Sequence, residues 1–401
     1  MKTNIPADGR RHEALHSTLA ALCAAALVPI AFPAPAAAAE DGYTFTKVLD
    51  SAHGYDAAMF GCAAINERGD IVTRTGLAKS PKNGSDTTEL IVRANAAGGV
   101  RIMVNEDLAG FRSLGRNPKI NDSGQISFWA QGQAAGSGEV IASTNGVSVT
   151  VIARTSPDGN HSGEYRFFGV DTTINNQGTV AFRGELDNGD LGMWSGTGGT
   201  PTTHYLDSEG LFRGSFSGVS INDGGQIAFE ETAGSQNGIF RGAAGLFTTI
   251  ASEPGHSFTA PSVNEAGTVA FGDTAFDSNG QVFSILTGSG GELTTIADST
   301  GPFSGFPFRG PAINNDGDVA FKAELDSDFF PGPSGIFTGP DPVADRVIGT
   351  GDSLGGRPVS DIVFCENGFN TAGQLAFTAY FEDPVTFERQ VAVYRATPVA
   401  R

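Results

Sequence analysis

Ile174-Asn175-Asn176-Gln177-Gly178-Thr179-Val180-Ala181-Phe182 is the stretch on which the fold turns. Asn at the first position of a type I turn can bond its side chain to backbone two residues on. Gly three residues later takes the left-handed conformation that closes a bulged hairpin. Beyond the Gly, Val180 and Phe182 alternate with Ala181, so bulky and small side chains fall on opposite faces of one strand. The nine residues read as a hairpin turn and the strand that leaves it.

The pattern recurs along the chain. The other copies are Ile65-Asn-Glu-Arg-Gly-Asp-Ile-Val, Ile120-Asn-Asp-Ser-Gly-Gln-Ile-Ser-Phe, Ile221-Asn-Asp-Gly-Gly-Gln-Ile-Ala-Phe, Val263-Asn-Glu-Ala-Gly-Thr-Val-Ala-Phe, Ile313-Asn-Asn-Asp-Gly-Asp-Val-Ala-Phe and Phe369-Asn-Thr-Ala-Gly-Gln-Leu-Ala-Phe. The asparagines, at 66, 121, 175, 222, 264, 314 and 370, are spaced by 42 to 56 residues. Two further strands follow in most units, such as Gly238-Ile-Phe-Arg and Leu246-Phe-Thr-Thr-Ile-Ala. Each unit is thus a four-stranded antiparallel meander, which fits a β-propeller blade; a β-helix needs shorter coils and no regular hairpin. The last copy stops one strand short, and Tyr43-Thr-Phe-Thr-Lys-Val-Leu-Asp-Ser matches the fourth-strand pattern of Leu293-Thr-Thr-Ile-Ala-Asp-Ser. The expectation is an all-β, seven-bladed propeller over 40–401, a single domain, in which the N-terminal strand completes the last blade and leaves no long open edge.

The copies carry neither the Trp-Asp ending of WD40 repeats nor the Gly-Gly with Tyr and Trp of kelch repeats. The pattern resembles the bacterial exported tandem-repeat proteins named for an Asn-x-x-Gly-x-x-Ala-Phe repeat and a variable choice of C-terminal surface anchor. Six copies carry the terminal Phe, and the first has Thr73 there. The resemblance implies an exported protein of undefined biochemistry. The chain departs from it by ending in Arg-Ala-Thr-Pro-Val-Ala-Arg with no apolar anchor helix, so the expectation is release or a periplasmic location.

Residues 1–39 read as a secretory leader: Lys2, Arg10 and Arg11 precede an apolar run from Leu19 to Phe32, and small residues precede Glu40. That run is too short and too broken by Pro29 for a membrane-spanning helix of about 20 residues. With 44 Asp+Glu against 25 Lys+Arg, the net charge of −19 opposes binding to nucleic acid or anionic lipid. The 39% hydrophobic residues suffice for a core, and a monomer is expected.

Candidate chemistry is sparse. Phe111-Arg112, Tyr165-Arg166 and Phe212-Arg213 repeat an aromatic–Arg pair, each Arg nine residues before its Asn, in three consecutive units. Converging arginines could hold a carboxylate or sulfate while the aromatics face a sugar; alternatively each Arg pairs with a local acid. A base drawn from His161 or Tyr165 beside those arginines would suit β-elimination of a uronate-containing polysaccharide. A solvent-facing role is the plainer use of a loop histidine. Phe60, Phe168, Phe216, Phe258, Phe308 and Phe364, six or seven residues before their Asn, read as core. Asp187-Asn-Gly-Asp190 and Asn314-Asn-Asp-Gly-Asp318 set oxygens around a Gly as Ca²⁺ loops do, without the closing Glu; turn chemistry explains them equally. Gly351-Asp-Ser353-Leu matches a hydrolase tetrapeptide only in its letters. Cys62 and Cys365 fall near the innermost strands of the first and last units, where an oxidising compartment could join them or neighbouring strands could hold them too far apart. The sequence therefore leads to an exported binding module for extracellular glycan or a surface protein, with a polysaccharide lyase and a site-free scaffold as the alternatives.

Overall fold

The computed structural model describes residues 37–40, 42–78, 87–132, 138–155, 165–213, 218–278, 280–307, 309–326, 332–383 and 385–399. Seven antiparallel sheets follow one another around a ring, each a meander running from an innermost to an outermost strand. Blade 3 is representative: Tyr165–Ile174, Val180–Leu186, Leu191–Gly196 and Thr202–Leu206 pair in sequence order. In blades 2, 5 and 6 the innermost strand is split in two, as in Phe111–Leu114 and Lys119–Ile120. Tyr43–Asp50 pairs with Arg389–Pro398, so the N-terminal strand completes blade 7, as expected from the sequence. Ala37–Glu40, which straddles the expected leader boundary, adds a fifth strand at that outer edge.

The motif asparagines close the ring. In every blade the Asn Oδ1 accepts the backbone N–H four residues on, at 2.9 Å, which fixes the turn. Its Nδ2 donates to the backbone carbonyl of the next blade's Asn, from Asn66 to Asn121 around to Asn370 and back to Asn66. All seven are buried, so each amide satisfies its polar atoms inside the protein. The Gly three residues later sits at positive φ, +81° at Gly124, and a Cβ there would lie 2.2 Å from the Arg93 guanidinium.

Alternation after the turn explains the stacking. In blade 3, Val180 and Phe182 face the core shared with blade 2, beside Ile141 and Ile152, whereas Ala181 lies in the core between blades 3 and 4 with Phe212 and Phe229. Ala228, Ala270, Ala320 and Ala376 repeat the arrangement, and Val72 takes the position in blade 1. A small residue lets the next sheet approach, while the flanking Phe fills the space between sheets. Phe60, Phe168, Phe258 and Phe364 are buried as expected; Phe216 and Phe308 lie outside the described residues.

A meander places the loops leading into innermost strands, and the hairpins between second and third strands, on one face. That loop face is opposite the face carrying the Asn turns.

Candidate functional site

The aromatic–Arg pairs occupy the loop face at the start of three innermost strands. Pleating sends the two members of each pair in opposite directions. Tyr165 packs inward against Trp194 and Phe168, both with ring centroids 5.1 Å away. Phe212 packs 4.7 Å from Phe240 and 5.3 Å from Phe229, and Phe111 is half-buried 6.0 Å from Phe128. The expectation that these rings present flat faces to a sugar is therefore corrected: the aromatic position repeats because each core between neighbouring blades takes a ring there. Their partners are exposed. Arg166 Nη1 lies 2.8 Å from Glu185 Oε1, while Arg112 and Arg213 form no ion pair among the described residues.

Tyr165, proposed as a proton-moving group, is 4% exposed, with its ring inside the core between blades 2 and 3, so it cannot serve a surface substrate. His161 lies outside the described residues. The other histidines among the described residues have structural partners. His53 pairs with Asp50. His256 Nδ1 is 2.9 Å from Asp273 Oδ2, and burial raises the Asp273 pKa against the pull of that histidine. His204 is buried; its Nδ1 accepts from Ala244 N at 3.1 Å and its Nε2 faces Ser195 Oγ at 2.9 Å, which fixes the neutral ring with the proton on Nε2. Burial lowers its pKa to about 4.

The loops read as calcium-like are used as turns. Asp190 Oδ1 accepts Ser208 N at 2.8 Å, and Asn314 Oδ1 accepts Asp318 N at 2.9 Å. Among the described residues no group of three or more His, Cys, Asp and Glu is placed to hold a metal ion. Ser353 pairs with Pro358 in a two-stranded hairpin, remote in form from a nucleophile elbow.

Cys62 and Cys365 are joined by a disulfide with a Cα–Cα distance of 6.0 Å, linking blade 1 to blade 7 across the closure. Around it the structure assembles groups that sequence reasoning missed. Arg309 Nη1, from the lead-in to blade 6, reaches Cys62 Sγ at 2.9 Å and Cys365 Sγ at 3.5 Å. Arg116 O, at the start of blade 2, accepts the Cys62 N–H at 3.2 Å. Inside the channel Lys119 Nζ of blade 2 meets Glu366 Oε1 of blade 7 at 2.7 Å. Burial would raise the Glu366 pKa, but Lys119 and Arg309 outweigh it and hold it below the usual value. Contacts between blades 2 and 7 are possible only near the axis, so side chains fill the channel at this depth. The available signal was register: Arg116 and Arg309 each stand five residues before their Asn, not the nine that singled out the other three arginines, although Phe308 directly precedes Arg309.

Fold and site together define a seven-bladed β-propeller whose loop face carries exposed arginines and whose channel is crossed by the Lys119–Glu366 pair. The chain belongs to a family of unknown function (DUF7453), whose profile matches residues 53–397. No curated protein matches it in sequence. Among solved structures, TolB from Acinetobacter baumannii is similar at 12% identity, covering 82% of this chain and 80% of that one, with a TM-score of 0.39. An ulvan lyase bound to a GlcA(1-4)Rha3S unit is similar at 10% identity over 85% of this chain and 93% of its own, TM-score 0.46. The Aleuria aurantia lectin, at 13% identity, covers 69% and 93% with a TM-score of 0.33. Likeness at this level concerns the fold alone. No helix among the described residues is long and apolar enough to cross a membrane.

Proposed function

We propose that the protein is an exported binding module, a propeller that engages an extracellular glycan or a surface protein through its loop face. The carrying observation is that Arg112 and Arg213, at one register on blades 2 and 4, stay exposed and form no ion pair among the described residues, in a chain of net charge −19. Exposed Phe167 and Leu211 lie near the same lead-ins and add apolar surface of the kind recognition faces use. Export rests on the leader-like residues 1–39. A scaffold would have neutralised these arginines locally, and the lyase reading loses Tyr165 to the core.

The test is a titration of the mature protein against neutral and acidic polysaccharides, with binding and the ultraviolet absorbance of unsaturated uronate recorded in the same wells. The expected outcome is binding that weakens about tenfold in the Arg112→Ala/Arg213→Ala variant, with no growth in absorbance. Absorbance growth would restore the lyase, and silence in both channels would remove the glycan.

A further inference from the structure

Arg116 and Arg309 stand at the same register on blades 2 and 6, the two blades that flank the closure between blades 7 and 1. Between them the corresponding positions are Gly61 and Cys365, both small. Packing fixes that smallness: a Cβ on Gly61 would lie 2.0 Å from Arg116 O, and the Cys365 side chain is spent in the disulfide. The result is a low sill bounded by two long cationic side chains.

Both arginines bear on the same spot. Arg116 touches Cys62 through its backbone and Arg309 touches the sulfur of that cysteine through its guanidinium. Both residues are exposed. A second sign of convergence comes from Tyr380 in blade 7: burial raises its hydroxyl pKa, Asp361 adds to the rise, and Arg389, Arg309 and Arg116 all act against it. The tyrosine therefore lies within the field of both guanidiniums.

Neighbouring carboxylates are already engaged. Glu366 is held by Lys119 beneath the sill at 2.7 Å. Asp361 is 3.1 Å from Lys322, and its other oxygen is 4.0 Å from Arg389, which itself stacks 4.0 Å from the Tyr380 ring centroid. Asp171 accepts a hydrogen bond from Asn117 Nδ2 at 2.6 Å. Among the described residues Arg309 donates hydrogen bonds only to the two sulfurs, which are weak acceptors, with Glu366 within its field, and Arg116 forms no ion pair. A guanidinium so placed keeps most of its planar fork of donors for an incoming acceptor.

We propose that this mouth of the channel is an oxyanion site, in which Arg116 and Arg309 clasp one sulfate or carboxylate group above the Cys62–Cys365 bond. Two forks facing one tetrahedral or planar oxyanion supply up to four charge-assisted hydrogen bonds. The site deepens the binding-module reading, since the group would be carried by an acidic polymer lying on the loop face. It uses residues distinct from Arg112 and Arg213.

Sodium sulfate and sodium glucuronate, titrated at constant ionic strength and followed by calorimetry, provide the probes, with a sulfated or uronate-containing oligosaccharide as a second arm. Saturable binding of either anion to the wild type is expected, weakened about tenfold by Arg116→Ala or Arg309→Ala and abolished in the double variant. Arg116→Lys and Arg309→Lys keep the charge without the fork and should recover only part of the loss; melting temperatures verify that every variant is folded. Undiminished anion binding in the folded double variant overturns the site, as does a wild type that binds neither anion. Polysaccharide binding that survives the double variant but fails in Arg112→Ala/Arg213→Ala sinks the subsite and spares the module. Sulfate binding without any polysaccharide binding does the reverse.

Discussion

His204 shows how one side chain ties stability to acidity. It is neutral in the fold, accepting from Ala244 N and donating to Ser195 Oγ, and burial lowers its pKa to about 4 from 6.5. The unfolded chain takes up a proton below about 6.5 while the folded chain refuses it, so stability is complete above that pH and falls as pH drops toward 4. The loss can reach about 3 kcal/mol, since each tenfold difference in proton affinity between folded and unfolded chain corresponds to roughly 1.4 kcal/mol. Urea unfolding at pH 7.0 and 5.0 should show that decline, and His204→Gln should flatten it; an unchanged slope in the variant would mean the charge is accommodated. A similar economy holds at Arg183 and Glu231, a pair 3% and 1% exposed between blades 3 and 4, where Tyr205 Oη donates to Glu231 at 2.7 Å. Sequence alone did not reveal such partners, because Arg183 and Glu231 lie 48 positions apart and meet only once two sheets have stacked.

At the scale of the element, the turn is the unit that repeats and the unit that can be tested. Asn175 joins its own hairpin to that of the next blade: Oδ1 serves Thr179 N and Nδ2 serves Asn222 O. Asn175→Ala strips both bonds from a buried site, with an expected cost of about 2–4 kcal/mol. Gly124→Ala places a Cβ on left-handed backbone against Arg93, and should cost upwards of about 1 kcal/mol. Chemical denaturation of both variants measures this, and stabilities within error of wild type would show that the turns merely accompany the strands. The hairpins were legible in the sequence because Asn, Gly and the Val-Ala-Phe alternation each answer a local demand. The reach of the Asn amide to the next blade was not, since a single unit contains only one of the two partners.

For the whole molecule, what mattered was whether elements distant in sequence meet. Strand matching placed Tyr43–Asp50 in blade 7 correctly, because a missing fourth strand and a spare one complete each other. The cysteine question stayed open at that level, since sequence does not give the distance between the first and last innermost strands; the structure gives 6.0 Å between the Cα atoms. The arginines divided similarly: Arg112, Arg166 and Arg213 were visible by their repeated neighbours, while Arg309, Lys119 and Glu366 became a group only through cross-ring geometry. The disulfide closes a loop of 303 residues, and breaking it should remove about 2–5 kcal/mol. Melting with and without reductant, beside Cys62→Ser/Cys365→Ser, measures the effect; equal melting temperatures would mean that the strand and Asn contacts alone hold the ring shut.

The partnership of Tyr43–Asp50 with Arg389–Pro398 also sets a timetable. A chain made from its amino end presents that first strand hundreds of residues before its partner exists, and contacts so remote are slow to form. The strand's hydrogen-bonding edge stays unsatisfied until Arg389–Pro398 has been synthesised, so the ring can close only after every blade has been made. A nascent copy is kept from its native state throughout that elongation, which suits the proposed export of a polypeptide that must remain threadable until its last strand has been added.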